Sequence, residues 1–314
     1  MVKPYPLVDR VPQTIAIDGS YSPIYRNTSL WLVALRAVAL RYKFTQDGPT
    51  YQLEGCEIDE GAELITTSKR VAEDLSPFAR ELRELTAARK GEAPRRMATY
   101  ARILREFQLA SAVAKSRKNS IILMDGTLTT PPVKRINELA EETVESCSEN
   151  HNALVGVSKD SNANLFGSVA TDEELLGGIN RKELLYVEPP EPERTTLGPR
   201  GDIFFVKFHP EAPKWFRVDV VSPHMEPGEL FGSIGQFARN QLCPGYPLPL
   251  AEAHAMAVEL RKYPTLYDKL LFDAGKELGF NFEEIAWGRT NVEGRRMDAF
   301  HEYLDILSKR GVRN

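Results

Sequence analysis

The chain has 314 residues, and its 40 Lys and Arg residues against 44 Asp and Glu residues give a net charge of −4. Its hydrophobic fraction of 42% is enough for a buried core, and its charged fraction of 27% is ordinary for a globular protein, which excludes wholesale disorder. The near-neutral charge also excludes a protein that coats nucleic acid by bulk positive charge, but it does not exclude a local basic groove.

The same sequence predicts a cellular compartment. Its longest apolar stretches fall far short of the roughly 20 residues that a membrane span needs, and its N-terminus lacks the apolar run of a secretory signal. Cys56, Cys147 and Cys243 are far apart, and none belongs to a C-x-x-C pair, which argues against a disulfide framework or a cysteine-based zinc site. We therefore expect a cytoplasmic protein with no membrane partner.

The first half of the chain predicts strands followed by a helical segment. Residues 13–18 are β-prone and predict a short strand that ends at Asp18, with the next Gly and Ser in a turn. Residues 29–44 fit a helix or a strand by periodicity, and the turn residues after them favour a strand pair. Residues 60–118 are rich in Ala, Leu, Glu and Arg and predict helices with one break near Pro94.

The second half alternates strands and helices. Its predicted elements are a buried strand at 120–125, a helix at 132–148, a buried strand at 153–158, a Pro-rich loop at 188–201, a hairpin of strands 203–208 and 215–221, and helices at 249–263 and 292–309. This order predicts an α/β fold with a mixed sheet. We expect a single domain over residues 1–314, with core strands in about 13–160, a helical insertion at 60–118, and the hairpin and C-terminal helices in 202–314.

Two aspartates stand at matching places in this pattern. Asp18 and Asp125 each end a predicted apolar strand, and each is followed by Gly and a hydroxyl residue. If the two strands are neighbours, both carboxylates emerge at one edge of the sheet and can share Mg²⁺ or Mn²⁺, which prefer hard oxygen ligands. The alternative is that Asp-Gly is simply a common turn dipeptide.

A third carboxylate, Glu106, lies within an apolar arc of its predicted helix. At about 100° per residue, the residues nearest to Glu106 on the helix surface are Ile103, Leu109, Ala110 and Val113. A buried carboxylate is costly unless it is paired or bound to a metal, so Glu106 either forms a salt bridge with a nearby Arg or joins the two aspartates. Three neighbouring carboxylates repel one another unless a cation lies among them, and metal-assisted hydrolysis of a phosphate ester uses such a site.

His254 and Tyr246 come from a later segment. Pro249 suits the first turn of a helix, and this helix places His254 on an apolar face with Leu250 and Ala257. His254 is then either a core histidine or a metal ligand or proton donor for the acidic cluster. Tyr246 either orients a phosphate or anchors the turn.

Basic residues are concentrated in one part of the chain. Residues 83–118 contain ten basic and three acidic residues, a local excess of seven positive charges. Such a run is either a solvated face or a path for the backbone of a polyanion, and Lys159 after the third strand is either an ordinary loop lysine or a phosphate contact. The candidate nucleic-acid-binding residues are Lys159, Arg95, Arg96 and Arg102.

Five segments in order resemble the NurA nucleases, from about residue 13 to 260. They are Ile-Asp18-Gly-Ser, Arg-Glu106-Phe, Leu-Met-Asp125-Gly-Thr-Leu, Val-Gly-Val-Ser-Lys159, and Gly-Tyr246-Pro-Leu-Pro-Leu-Ala-Glu-Ala-His254. The last segment is the most specific of the five.

The resemblance implies a ribonuclease-H-like core and a Mn²⁺-dependent DNA nuclease, with Mg²⁺ as a possible substitute. It further implies 5′-end resection and single-strand endonuclease activity, a toroidal homodimer, and work with a hexameric HerA-type ATPase in double-strand-break repair. By position in the motifs, Asp18, Glu106 and Asp125 would be metal-binding catalytic acids, with His254 a fourth ligand and Tyr246 beside the site. Two other functions fit the same residues: a non-catalytic nucleic-acid-binding protein, and a ribonuclease-H-like protein directed at RNA.

Overall fold

The computed structural model describes residues 2–26, 30–45, 50–66, 93–159, 164–168, 170–179, 182–190, 201–212, 214–240 and 243–262. Their elements in chain order are strands β1 (Lys3–Pro4), β2 (Thr14–Arg26), β3 (Leu30–Thr45) and β4 (Thr50–Thr66), helix α1 (Ala93–Ser116), β5 (Ile121–Asp125), α2 (Lys134–Glu149), β6 (Ala153–Ser158), α3 (Asp172–Gly177), β7 (Leu185–Val187), β8 (Asp202–Lys207), β9 (Phe216–Val221), α4 (Pro227–Phe237), α5 (Leu248–Val258) and a 3-10 helix (Glu259–Lys262).

Within these residues, nine strands form one mixed sheet in the order β1-β7-β8-β9-β6-β5-β2-β3-β4. Its centre is parallel: β5 lies between β2 and β6, with Ile17 beside Met124 and Asp125 beside Val157. β5 and β6 are continuous apolar runs because both of their faces are covered. The predicted buried strands at 120–125 and 153–158 are therefore confirmed.

The other half of the sheet is antiparallel. β6 pairs with β9, and β9 pairs with β8 in the predicted hairpin, in which Phe204 lies beside Val218. β7 and then β1 extend the sheet beyond β8. The mixture of parallel and antiparallel pairs agrees with the mixed sheet predicted from the order of elements.

Helices cover both faces of the central strands. Side chains alternate along each strand, so Leu123 and Val155 point into an apolar core that also contains Phe231 of α4 and Leu250 of α5. On α2, the buried residues recur at helical spacing, and this helix packs against β6. The buried residues of α2 are Ile136, Leu139, Ala140, Thr143, Ser146 and Cys147.

The structure corrects two predictions. Residues 60–66 belong to β4 and not to a helix, because that segment continues a strand that pairs at the edge of the sheet. Asp18 does not end its strand, since β2 continues through Gly19 to Arg26. The helical prediction holds for α1, whereas residues 67–92, most of the Pro-rich loop and the predicted helix at 292–309 lie outside the described residues.

The chain divides into two compact units. The first contains Met1–Ser20, Leu35–Gly61 and Thr99–Glu259, and with them the antiparallel half of the sheet, β5, β6 and helices α2 to α5. The described part of the second comprises residues 21–26, 30–34, 62–66, 93–98 and 260–262, and its buried side chains include Val33, Ile65 and Met97. Among the helices that are described, none has the length and apolar content that crossing a bilayer requires.

Candidate metal centre

Asp18 and Asp125 are brought side by side by the pairing of two parallel strands. The register places Ile17 beside Met124, so the next residue on each strand is an aspartate. Neighbouring positions in a parallel ladder point to the same face of the sheet. Asp18 is buried, with 2% of its surface exposed, and the side chain of Asp125 is 14% exposed at the end of β5. The predicted meeting of the two carboxylates is therefore observed, although only Asp125 ends its strand.

His254 reaches both aspartates from α5. Pro249 lies in the first turn of this helix, where its missing N–H is not needed. The Nδ1 atom of His254 lies 2.6 Å from Oδ2 of Asp18 and 3.8 Å from Oδ2 of Asp125. Leu250 and Ala257 on the same helix are buried, but the His254 side chain is 48% exposed. His254 is thus a surface-accessible member of the cluster and not a core histidine.

These three residues have the geometry of a divalent-metal site. Asp18, Asp125 and His254 each offer one ligand atom, and the three atoms lie within 4.8 Å of one another. Two carboxylates and one imidazole suit Mn²⁺, Mg²⁺ or a similar cation better than a soft metal that prefers thiolates. Half of the His254 side chain is exposed, which leaves an approach for ions and substrate.

Asp125 has two further partners. The hydroxyl of Tyr246 donates a hydrogen bond to Oδ1 of Asp125 at 3.0 Å, and the ammonium of Lys159 lies 2.6 Å from Oδ2. The Lys159 nitrogen also lies 5.3 Å from the centre of the Tyr246 ring. Burial, and next the charge of Asp125, raise the pKa of Tyr246, so its hydroxyl stays protonated and remains a donor.

Glu106 approaches the cluster from α1. It is buried with 5% exposure, as its place in the apolar arc predicted, and it forms an ion pair with Arg102 one helical turn earlier. A Cβ atom built on Gly19 would lie 2.6 Å from the Oε1 atom of Glu106, which places this carboxylate against the β2 backbone next to Asp18. Glu106 therefore has the Arg partner expected of a salt bridge and also lies near the acids.

Burial disfavours the charged forms of Glu106 and Asp18. Loss of hydration raises the pKa of Glu106 to about 7, and the Asp18 and Asp125 charges act in the same direction, while the charge of Arg102 opposes them. Burial and then the charge of Asp125 raise the pKa of Asp18, against the hydrogen bond from His254. Burial and the neighbouring negative charges thus both disfavour the charged carboxylates, and a cation bound beside them would oppose both effects.

Of the predicted nucleic-acid contacts, Arg102 and Lys159 lie in the first unit with the acids. The Arg102 side chain is 25% exposed while paired to Glu106, and that of Lys159 is 37% exposed. Arg95 and Arg96 lie at the start of α1 in the second unit, Arg95 exposed and Arg96 half-buried.

Sequence reasoning missed a second buried polar group, Arg217 and Asp219. These two side chains lie on one face of β9 and form a two-point ion pair. The signal available in the sequence was the Arg-x-Asp spacing, which places both side chains on the same face of a strand. Nothing local shows that their partners lie in the segment after Asp125.

A family model described as the NurA domain matches residues 12–259. The chain belongs to the NurA family. The match spans all of the residues assigned above to the cluster, from Asp18 to His254. No curated protein sequence matches the chain.

Three solved structures align with the chain. The crystal structure of the NurA nuclease from Sulfolobus solfataricus aligns with a TM-score of 0.54 and 14% identity, over 88% of this chain and 88% of that one. Endonuclease V of Ciona intestinalis in complex with DNA aligns with a TM-score of 0.40 and 15% identity, over 82% of this chain and 88% of that one. The human endonuclease V catalytic domain aligns with a TM-score of 0.38 and 13% identity, over 88% of this chain and 92% of that one. The nine-stranded sheet of the described residues and the alignment with the NurA nuclease confirm the predicted fold class, an α/β fold with a ribonuclease-H-like mixed sheet flanked by helices.

Proposed function

We propose that this NurA-family chain is a DNA nuclease that uses Mn²⁺, with Mg²⁺ as a possible substitute, to hydrolyse phosphodiester bonds. The observation that supports this function is the convergence of Asp18, Asp125 and His254, whose ligand atoms lie within 4.8 Å of one another. A protein that only bound DNA would gain nothing from burying carboxylates together, because DNA is itself an anion.

The residues of the site have two roles in this proposal. Asp18, Asp125 and His254 hold the metal, and Glu106 adds a fourth ligand or neighbouring negative charge from α1. A divalent cation bound there supplies Lewis-acid stabilisation of the phosphate and lowers the pKa of a water. Glu106 is charged above about pH 7 in the metal-free chain, and its pair with Arg102 holds the carboxylate beside β2.

The neighbours of Asp125 orient it and receive the substrate. The Tyr246 hydroxyl fixes the direction of the Asp125 carboxylate through its hydrogen bond of 3.0 Å. The partly exposed side chain of Lys159 offers positive charge to a phosphate that binds next to Asp125. Arg95, Arg96 and Arg102 remain our candidates for contacts to the DNA backbone, to single strands and to duplex ends.

The biological setting is proposed from the family resemblance. We assign the chain a 5′-3′ exonuclease activity at DNA ends and an endonuclease activity on single strands, both used in end resection during double-strand-break repair. We further propose one nuclease domain over residues 1–314, a homodimer, a HerA-type hexameric ATPase as partner, and a cytoplasmic location.

Cleavage of end-labelled linear DNA tests the proposed activity. We expect the purified chain to release labelled product in Mn²⁺ and none in EDTA, and a 5′ label against a 3′ label reports polarity. Asp18→Asn should lower the rate by at least about 100-fold, because loss of a ligand exceeds the 10–100-fold cost of losing a residue that only supports one. Asp202→Asn, a matched change at an exposed position, should cleave at the wild-type rate. Cleavage that persists in EDTA or survives Asp18→Asn would contradict the proposal.

A non-catalytic nucleic-acid-binding function is the second candidate. The pairs Lys159–Asp125 and Arg102–Glu106 favour it, since they compensate two of the acids without a metal. This candidate predicts salt-sensitive DNA binding with no cleavage in any divalent metal and no effect of Asp125→Asn. Parallel RNA substrates test the RNA-directed alternative, which predicts faster cleavage of RNA than of DNA.

A further inference from the structure

Arg217 and Asp219 form a buried ion pair on the strand β9. Arg217 is 7% exposed and Asp219 is fully buried. The Nε atom of Arg217 donates to Oδ1 of Asp219 at 2.8 Å, and its Nη2 atom donates to Oδ2 at 3.1 Å. This two-point geometry fixes the orientation of both side chains.

The pair holds the segment that directly follows Asp125. The backbone N–H of Leu128 donates to Oδ2 of Asp219 at 3.0 Å, and Nη2 of Arg217 donates to Oγ1 of Thr129 at 3.5 Å. The N–H of Gly126 donates to the carbonyl of Val157 on β6 at 2.9 Å. Residues 126–129 are therefore attached at successive points as the chain leaves β5.

The same segment lies directly on β6 at Gly156. A Cβ atom at this position would be 2.6 Å from the carbonyl oxygen of Gly126 and 3.0 Å from the Leu128 nitrogen. Gly156 lies beside Asp219 in the ladder between β6 and β9, so the glycine and the ion pair contact the same segment, residues 126–129.

The ion pair lies on the face of the sheet opposite to the Asp125 carboxylate. Asp125 lies beside Val157, whereas Asp219 lies beside the preceding residue, Gly156. Because side chains alternate along a strand, the pair and the Asp125 carboxylate point to opposite faces. Arg217 and Asp219 can therefore act on Asp125 only through the backbone of the connecting segment and not by touching its carboxylate.

We propose that Arg217 and Asp219 are positioning residues for the metal centre, which they preorganise by anchoring residues 126–129 and with them the direction of Asp125. This inference rests on the proposed metal-dependent function. A buried ion pair often adds little stability compared with apolar residues of similar size. Residues that orient metal ligands, in contrast, typically contribute 10–100-fold to metal affinity or activity.

Two double variants separate positioning from packing. Arg217→Met with Asp219→Leu removes the charges and the acceptor for the Leu128 N–H. Arg217→Gln with Asp219→Asn also removes the charges but keeps an oxygen that can accept this hydrogen bond. We measure Mn²⁺ affinity by calorimetry, kcat and KM for DNA cleavage, and thermal unfolding of each full-length chain.

We expect the Met/Leu variant to remain folded but to bind Mn²⁺ about tenfold to 100-fold more weakly, with a lower kcat and a KM for DNA within about twofold of wild type. The Gln/Asn variant should recover Mn²⁺ affinity to within about threefold of wild type, because the loop anchor is kept. Equal Mn²⁺ affinity in wild type and both variants would overturn the inference but would not contradict the proposed metal site. A wild-type chain that binds no Mn²⁺ would contradict the proposed function itself and this inference with it.

Hydrogen exchange gives a second measurement if the Met/Leu variant does not fold. In the wild-type chain without metal, the Leu128 amide should exchange at least about 100-fold more slowly than an unstructured amide, because Asp219 holds it inside the fold. If the Leu128 amide exchanged as fast as an unstructured amide, this would contradict the inference that Asp219 anchors residues 126–129.

Discussion

We expect Lys159 to compete with a metal ion for the Asp125 carboxylate. The Lys159 ammonium lies 2.6 Å from Oδ2 of Asp125, and Nδ1 of His254 lies 3.8 Å from the same oxygen. Two positive groups this close repel each other, so a bound metal would have to displace the lysine or would bind more weakly beside it. Since the Lys159 side chain is partly exposed, displacement toward solvent or toward a phosphate is open to it.

Lys159→Met should therefore bind Mn²⁺ more tightly in the absence of DNA, by about tenfold or more, since each tenfold step corresponds to only about 1.4 kcal/mol. Calorimetric titration of metal-free protein measures the change. Lys115→Met is the matched control, because Lys115 pairs with Glu142 on the surface, and its Mn²⁺ affinity should equal that of wild type. Unchanged or weaker binding by Lys159→Met would show that the lysine does not compete with the metal.

Glu106 makes the stability of the metal-free chain depend on pH. Its pKa is raised from an ordinary value near 4.5 to about 7 in the folded chain. Between these values the folded state keeps a proton that the unfolded state releases, so this contribution to stability is present below pH 4.5 and is lost as pH rises to about 7. The total loss is at most about 3.5 kcal/mol in the free energy of unfolding.

Urea unfolding in EDTA at pH values from about 4.5 to 7.5 tests this dependence. Glu106→Gln cannot titrate, so the difference in slope between wild type and this variant isolates the Glu106 contribution from that of other groups. Parallel pH profiles for the two proteins would contradict the assignment.

At the scale of elements, Gly19 allows α1 to approach β2. A Cβ atom at Gly19 would lie 2.6 Å from Oε1 and 2.9 Å from Cγ of Glu106, and 3.1 Å from Cγ of Arg102. These distances require the buried Glu106 side chain or the helix to shift. The strand and the helix thus bring Asp18 and Glu106 together only because residue 19 has no side chain.

Gly19→Ala should destabilise the chain by about 1–3 kcal/mol and lower DNA cleavage, because overpacking displaces Glu106. Gly177→Ala is the control, since a Cβ at this last residue of α3 meets nothing within 4 Å; its stability should change by less than about 1 kcal/mol. Denaturant unfolding and the cleavage assay measure the two effects. A Gly19→Ala chain as stable and active as wild type would contradict the close approach.

The same glycine explains one limit of sequence reasoning. Asp18-Gly19 has the composition of a turn, but the glycine serves a close approach within a strand that continues to Arg26. Residues 60–66 contain Glu and Ala, which favour a helix, but pairing with the rest of the sheet makes them strand. By contrast, β5 and β6 were predictable because strands buried on both faces read as continuous apolar runs.

Some residues of the site could be predicted from the sequence and others could not. Asp18, Asp125 and His254 could be predicted from motifs, because a carboxylate after an apolar run of residues and a histidine on an apolar helix are local patterns. The Arg217–Asp219 pair could not, since its partner Leu128 is 91 positions away from Asp219 and is a backbone group. Long-range contacts of this kind depend on the register of three strands, which no local pattern specifies.

At the scale of the whole molecule, a net charge of −4 means that DNA binding must come from local basic groups. If Lys159, Arg95, Arg96 and Arg102 each neutralise one phosphate of a single strand, the slope of log affinity against log salt is about −2.8. Raising the salt from about 50 to 200 mM should then weaken binding about fiftyfold. Fluorescence anisotropy in EDTA, which prevents cleavage, measures this dependence, and a change of less than about twofold would contradict a phosphate-binding path.

The central claim is that Asp18, Asp125 and His254 together bind a divalent cation. Anomalous diffraction at the manganese absorption edge, from crystals grown in excess Mn²⁺, tests it most directly. We predict a peak about 2–2.5 Å from a carboxylate oxygen of each aspartate and from a ring nitrogen of His254. Anomalous peaks only at other positions, or none at all between the two aspartates, would contradict the account.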